Sequence, residues 1–108
     1  MVIATWNATI SDPINFLDIW ESNSTYNDSN WKNKKFDQYL ELSENKYANQ
    51  PAKRWSYLQK AERELMKDQG TIPLYQVTQA QLLDPKVKGI IYNGSSVPYD
   101  WKTAYIKK

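Results

Sequence analysis

No cysteine and no histidine occur among the 108 residues. Their absence removes thiol nucleophiles, Cys/His zinc sites, Ser-His-Asp triads and disulfides from consideration. It leaves the cellular compartment open, because many exported proteins carry no disulfide. Long apolar runs are also lacking: no stretch nears the 18 residues of a membrane span, and no apolar signal core follows Met1, so the chain as given is expected neither to cross nor to target a membrane. A charge excess is missing too, since 14 Lys and Arg against 12 Asp and Glu leave a net charge of only +2. That balance gives no reason to expect a nucleic acid partner, whose binders carry a strongly basic face. Glycine is scarce, at three residues. The length fits one small domain with one modest core.

Aromatic side chains are abundant, and of an unusual kind. Five Trp and eight Tyr stand against two Phe, so most rings carry a polar handle suited to half-buried surfaces and recognition sites. The charge is segregated along the chain. Residues 1–30 hold Asp12, Asp18, Glu21 and Asp28 with no base, whereas all 14 bases and the other eight acids follow.

Val2-Ile3-Ala4-Thr5-Trp6 reads as a short apolar strand. Ser11-Asp12-Pro13 has the pattern of a helix start, with Asp12 capping and Pro13 at the first helical position, ahead of a short helix through Phe16, Leu17, Ile19 and Trp20. Residues 21–30, rich in Asn and Ser, form a polar loop. Phe36, Tyr39, Leu40, Ser43 and Tyr47 share one helical face over 33–47. Pro51 opens a second helix over 51–69, with Trp55, Leu58, Ala61, Leu65 and Met66 on its stripe and Gly70 as its stop. The period then changes to two: strands are expected near 72–78 and 87–92, with Pro73 near a strand start. Tyr99 to Lys108 reads as a short helix or a terminal strand.

Several local patterns are better explained by structure than by chemistry. The N-x-S/T sequons at Asn7, Asn23, Asn27 and Asn93 are matches expected by chance in a chain rich in Asn and Ser. Glu41 with Glu44, and Glu62 with Glu64, sit beside Lys46, Lys60 and Arg63 as solvated helix faces rather than catalytic dyads. Lys32, Lys34 and Lys35 beside Trp31 read as solubility rather than a nucleic acid patch. No oxygen-rich calcium loop is present, so no metal, cofactor or catalytic residue is assigned. A small hydrolase would require carboxylate-only or Ser/Lys chemistry, for which no pair has motivating spacing.

A set of ordered motifs goes further. Trp6, Asp12-Pro13, Phe16-Leu17-Asp18, Asn30-Trp31-Lys32-Asn33 with Phe36-Asp37, Arg54 through Ala61-Glu62 and Leu65, Ile72-Pro73-Leu74-Tyr75, Val87-Lys88-Gly89 and Tyr99 to Ile106 together resemble the oligopeptide-binding proteins of ABC importers (extracellular solute-binding protein family 5). The resemblance covers essentially the whole chain and corresponds to the C-terminal fifth of such proteins. It implies an α/β fragment of a type II periplasmic-binding-protein-like fold. Residues 1–76 would derive from one lobe, and 77–108 would return through the hinge to the other. The implied function is non-catalytic capture of an oligopeptide for delivery to ABC permease subunits in the membrane, at the extracellular face or in the periplasm, by a lipoprotein. The alternative is a truncated structural remnant without ligand binding of its own, prone to associate with itself through exposed apolar surface.

The resemblance also implies a site. A peptide held along its main chain needs backbone donors and acceptors on an extended segment, which Thr5, Trp6 and Asn7 would supply. The Trp6 ring would wall a side-chain pocket and Tyr75 would line the cleft from the other side. Where the family places an Asp that holds the peptide's α-amino group, this chain has Thr9. A hydroxyl accepts one hydrogen bond from an ammonium but does not neutralise it, and removing one partner of a buried ion pair costs about 2–5 kcal/mol. Either the amine is not anchored there, or Asp12 substitutes, or binding differs from that of the relatives.

Overall fold

The structure, a computed structural model, describes residues 3–78, 80–94 and 98–108. These divide into two compact units, one of residues 1–6 and 12–73 and one of residues 7–11 and 74–108.

The first unit is helical. α1 (Ile14–Leu17) runs straight into a 3₁₀ turn, Asp18–Trp20. The Asp12 carboxylate accepts from the Ile14 amide at 2.9 Å, so Asp12 caps this start as its place before Pro13 predicts. α2 (Lys34–Glu41) is capped by Asn33, whose side chain accepts from the amides of Lys35 and Phe36. It loosens into a π-helical turn at Leu42–Lys46, and α3 (Pro51–Lys67) begins on its proline. The Asn33 amide also donates to Asp68 at 2.7 Å, tying the start of α2 to the end of α3.

Ile14, Leu17, Phe36, Leu40, Leu58, Ala61 and Leu65 form the core, with Trp20, Trp31 and Tyr39 packed against it. The two expected helices are thus present, and their periodic apolar residues are largely those buried. Trp55 and Met66, expected on the α3 stripe, are exposed instead; they flank the buried line of Leu58, Ala61 and Leu65, and α1 and α2 do not reach around to them. Ser43 is fully buried on the α2 face, and its hydroxyl donates to the Leu40 carbonyl at 2.8 Å. This local bond removes the penalty of a buried polar group. Beyond α3, Gln69 takes a left-handed conformation (φ 53°) and Gly70 lies flat against Trp31 and Leu65.

Among its described residues the second unit contains four two-residue strands. β1 (Val87–Lys88) pairs antiparallel with β4 (Tyr105–Ile106), Val87 opposite Ile106. β2 (Ile91–Tyr92) pairs antiparallel with β3 (Tyr99–Asp100), Tyr92 opposite Tyr99. The strand expected over 87–92 is broken at Gly89, which has a positive φ of 75° and packs so closely on the Thr103 carbonyl that a Cβ would lie 2.2 Å from it. The Thr103 hydroxyl donates to the Gly89 carbonyl at 2.6 Å. The terminal segment resolves into β3, a turn and β4 rather than one element.

Two expected strands are corrected. Residues 3–6 and 72–78 are irregular, and Val2, where the first was expected to start, lies outside the described residues. A strand exists by virtue of the ladder it joins, and an apolar pattern without a partner edge does not make one. Among the described residues the ladders are confined to 87–106.

Candidate functional site

Trp6 lies in the irregular lead-in to α1 and is held by its own polar handle. Its indole N–H donates to the Asn15 carbonyl at 2.7 Å, and its ring meets Tyr26 edge-on, centroids 5.3 Å apart at 64°. Satisfying the N–H fixes the ring and leaves its apolar surface, 37% exposed, as what it offers to solvent. Thr5 and Asn7 on either side are exposed, and their main chain forms no backbone hydrogen bond among the described residues.

Asp12 has structural work. Its two carboxylate oxygens are gripped by the Arg54 guanidinium, Nη1 to Oδ2 and Nη2 to Oδ1, each at 2.9 Å. With the Ile14 amide on Oδ1 as well, the carboxylate joins α1 to α3. The Arg54 hydrogen bond holds its pKa below the ordinary value, outweighing the effect of burial. An acid so committed has its charge already paired and keeps only one acceptor site, on Oδ2.

The other candidates belong to the second unit. Thr9 is exposed and bonded within the protein. Tyr75 is 79% exposed in the irregular segment after α3.

The loop at 21–30, read from sequence only as polar, organises the neighbourhood of Trp6. Asn27 is buried within it. Its side-chain amide donates to the carbonyls of Trp20, Glu21 and Trp31 at 3.4, 3.2 and 2.7 Å, and its Oδ1 accepts from the Ser29 hydroxyl. Such an amide is inaccessible to glycosylation, so this sequon is a structural motif. Ser22 fastens the loop to α2, donating from its amide and its hydroxyl to Asp37 at 3.1 and 2.6 Å. Sequence reasoning missed Asn15, Tyr26 and Asn27. For Tyr26 the available signal is a lone aromatic in a run of Asn, Ser and Asp.

The remaining clusters have packing explanations. Trp31 lies edge-on to Phe36, centroids 5.0 Å apart, and against Gly70, so it is a core-edge residue rather than a stacking platform. Lys60 lies over Tyr57 at 4.4 Å, and Lys46 and Lys53 over Tyr47 at 5.5 and 5.3 Å. Tyr47 and Tyr57 stack at 5.0 Å, and the closeness of their hydroxyls lowers the pKa of the first and raises that of the second. A surface depression of about 300 Å³ lined by Gln38, Glu41, Leu42, Asn45 and Lys46 includes none of the six candidate residues. Among the described residues, no three acidic side chains converge in a manner able to hold a metal ion, and no helix is long and apolar enough to cross a membrane.

No family model matches the chain. Individual proteins do. The oligopeptide-binding protein OppA of Bacillus subtilis is 32% identical over 103 residues, which make up 94% of this chain and 18% of that protein. Among solved structures, the peptide-binding pheromone receptor PrgZ superposes with a TM-score of 0.78 at 37% identity, over 95% of this chain and 19% of the receptor. The substrate-binding domain of an oligopeptide ABC transporter from Bacillus anthracis gives 0.80 at 31% identity, over 95% and 20%. The chain spans about a fifth of the length of the proteins it matches. In sequence and in fold it therefore belongs, as a segment, to the oligopeptide-binding proteins of ABC importers.

Proposed function

We propose that this chain is the C-terminal fifth of a protein that binds oligopeptides and presents them to ABC permease subunits, without catalysis, at the outer face of the membrane or in the periplasm, where a lipid anchor would hold it. The observation that carries the reading is the segment around Trp6: exposed main chain outside any ladder, beside an indole fixed by Asn15. Main-chain pairing with an extended peptide gives affinity and neighbouring side chains give selectivity. Thr5, Trp6 and Asn7 supply the pairing segment, Thr9 accepts at most a hydrogen bond from the guest, and Tyr75 contributes an aromatic surface. Residues 1–76 belong to one lobe and 77–108 return to the other. The division of the chain into compact units close to Pro73 favours a change of lobe near that point, although it groups residues 7–11 with the second unit.

Asp12 is a poor substitute for the charge that Thr9 lacks, because Arg54 already pairs its carboxylate. The test is calorimetric titration of the protein carrying this chain with matched short peptides, free and N-acetylated. Micromolar or tighter binding with the two forms within about threefold of each other is expected. Thr9→Asp should favour the free amine by tenfold or more, as a regained ion pair in a closed site requires. Failure to bind any peptide refutes the reading.

A second reading, a remnant without binding of its own, draws on the exposure of Ile72, Leu74, Tyr75, Val77 and Leu82. A soluble protein seldom leaves so many large apolar side chains uncovered along one short segment. In that case the isolated chain self-associates, and light scattering coupled to size exclusion shows a mass rising with concentration. A constant monomer mass argues against it.

A further inference from the structure

Tyr26 is assigned no role by sequence or by kinship, yet it is the ring that meets Trp6. Its position is built rather than incidental. Asn27, the next residue, is buried with its amide on three carbonyls, and the amide of Asp28 closes a turn on the Tyr26 carbonyl at 3.0 Å. Ser22 anchors the same loop to Asp37 on α2. A loop tied at both flanks presents the Tyr26 ring, 64% exposed, at a fixed angle to the indole.

Across from it, the Trp6 N–H is already taken by Asn15. The indole therefore brings no free donor to a ligand, and what the two rings share with solvent is apolar and aromatic surface. Neither Thr5 nor Asn7 brings a charge. The nearest acid along this segment, Asp12, is neutralised by Arg54.

We propose that Trp6 and Tyr26 together form a side-chain subsite for one apolar or aromatic residue of the bound peptide, with Tyr26 as a specificity-determining residue. The proposal rests on the peptide-binding reading above and names what that site selects. An extended guest running along Thr5–Asn7 sets alternate side chains towards the protein, and the one nearest Trp6 lies on the indole and against the Tyr26 ring. Aromatic contact of this kind distinguishes Phe or Leu from Ala by area, whereas Glu or Asp is disfavoured because covering a carboxylate with two rings removes water without gaining a charge partner.

The experiment is titration of the protein carrying this chain with a set of peptides in which each position in turn is Ala, Leu, Phe or Glu. It is done for the native protein, Tyr26→Ala and Tyr26→Phe. The native protein should prefer Phe or Leu over Ala at one position and discriminate against Glu there. Tyr26→Ala should cut that preference by roughly fivefold to tenfold, the scale of one aromatic contact. It should lower the affinity of the Ala peptide less than that of the Phe or Leu peptide and leave the preferences at other positions in the same order. Tyr26→Phe, which keeps the ring, should behave as native. Circular dichroism of the variants checks the fold, which the exposure of Tyr26 protects. Equal loss for every peptide, or unchanged selectivity in Tyr26→Ala, overturns the subsite while leaving peptide binding intact. No binding of any peptide by the native protein overturns both.

Discussion

Asn27 donates to three carbonyls where the loop closes on Trp31, of which that of Glu21 also accepts from the Ser24 amide. A buried acceptor stripped of its donor costs about 1–3 kcal/mol. Asn27→Ala should therefore lower stability by about 2–3 kcal/mol in urea unfolding, far more than a surface change such as Asn23→Ala. A loss below 0.5 kcal/mol would mean that water replaces the amide without penalty. Asp12 makes a second residue-level prediction. Its pKa is depressed, so its contribution to stability is complete above the ordinary carboxylate value of about 3.9 and disappears as pH falls through its lower folded value. Asp18 and Glu21 act in the opposite sense. Desolvation raises both, and for Glu21 the charges of Glu44, Asp37 and Asp18 add to it. As pH falls from neutral, the folded protein takes up these protons before the unfolded chain does, and stability rises. Unfolding free energy should thus peak in mildly acidic solution and drop below about pH 4. Asp12→Asn keeps an acceptor for the Ile14 amide but gives up the ion pair, so it should remove part of the acidic drop and cost about 1 kcal/mol at pH 7. A flat profile from pH 7 to 4 would contradict the assignment.

At the scale of elements, α2 and α3 were legible because their evidence is local. Residues such as Phe36 and Leu40, or Leu58, Ala61 and Leu65, repeat at the helical period and bury against the neighbouring helix, so pattern and packing agree. Leu58→Ala should accordingly cost about 2–4 kcal/mol. The strands at 2–6 and 72–78 were not legible in that sense, since alternation tells which faces differ but not whether an edge exists to pair with. The site divides along the same line. Trp6 and Asp12 were visible as residues, but the Asn15 carbonyl that holds one and the guanidinium that occupies the other are separated from them by 9 and 42 positions, beyond any local pattern. Among the described residues of the second unit, Gly89 is the position where backbone geometry alone dictates the residue. A side chain there must adopt a left-handed φ and enter the Thr103 carbonyl. Gly89→Ala should undo the pairing of β1 with β4, read as loss of the cross-strand proton contacts between Lys88 and Tyr105, while the signals of α3 stay in place.

For the molecule as a whole, stability is unevenly shared. The first unit has a continuous core under three helices, with α3 alone contributing 17 residues of hydrogen-bonded backbone. The second has two ladders of two residue pairs each, below what a ribbon needs to persist in water unaided. Between α3 and β1 lies a segment whose apolar side chains face solvent. Opening free energy is set by buried apolar contact and by the exposure of backbone hydrogen bonds, so the two units should differ by orders of magnitude in protection. Hydrogen exchange followed by mass spectrometry should find peptides from 54–66 exchanging last, near the rate set by global unfolding. Peptides from 72–83 should be fully exchanged at the first time point, and those spanning 86–94 and 98–107 soon afterwards. If an added peptide or a partner segment covers the apolar stretch after α3, protection should appear there first, because those side chains have the most surface to bury. Protection of 72–83 comparable to α3 in the chain alone would show that these side chains are already covered, by another copy or by packing, and the account of a segment made to lean on something else would fail.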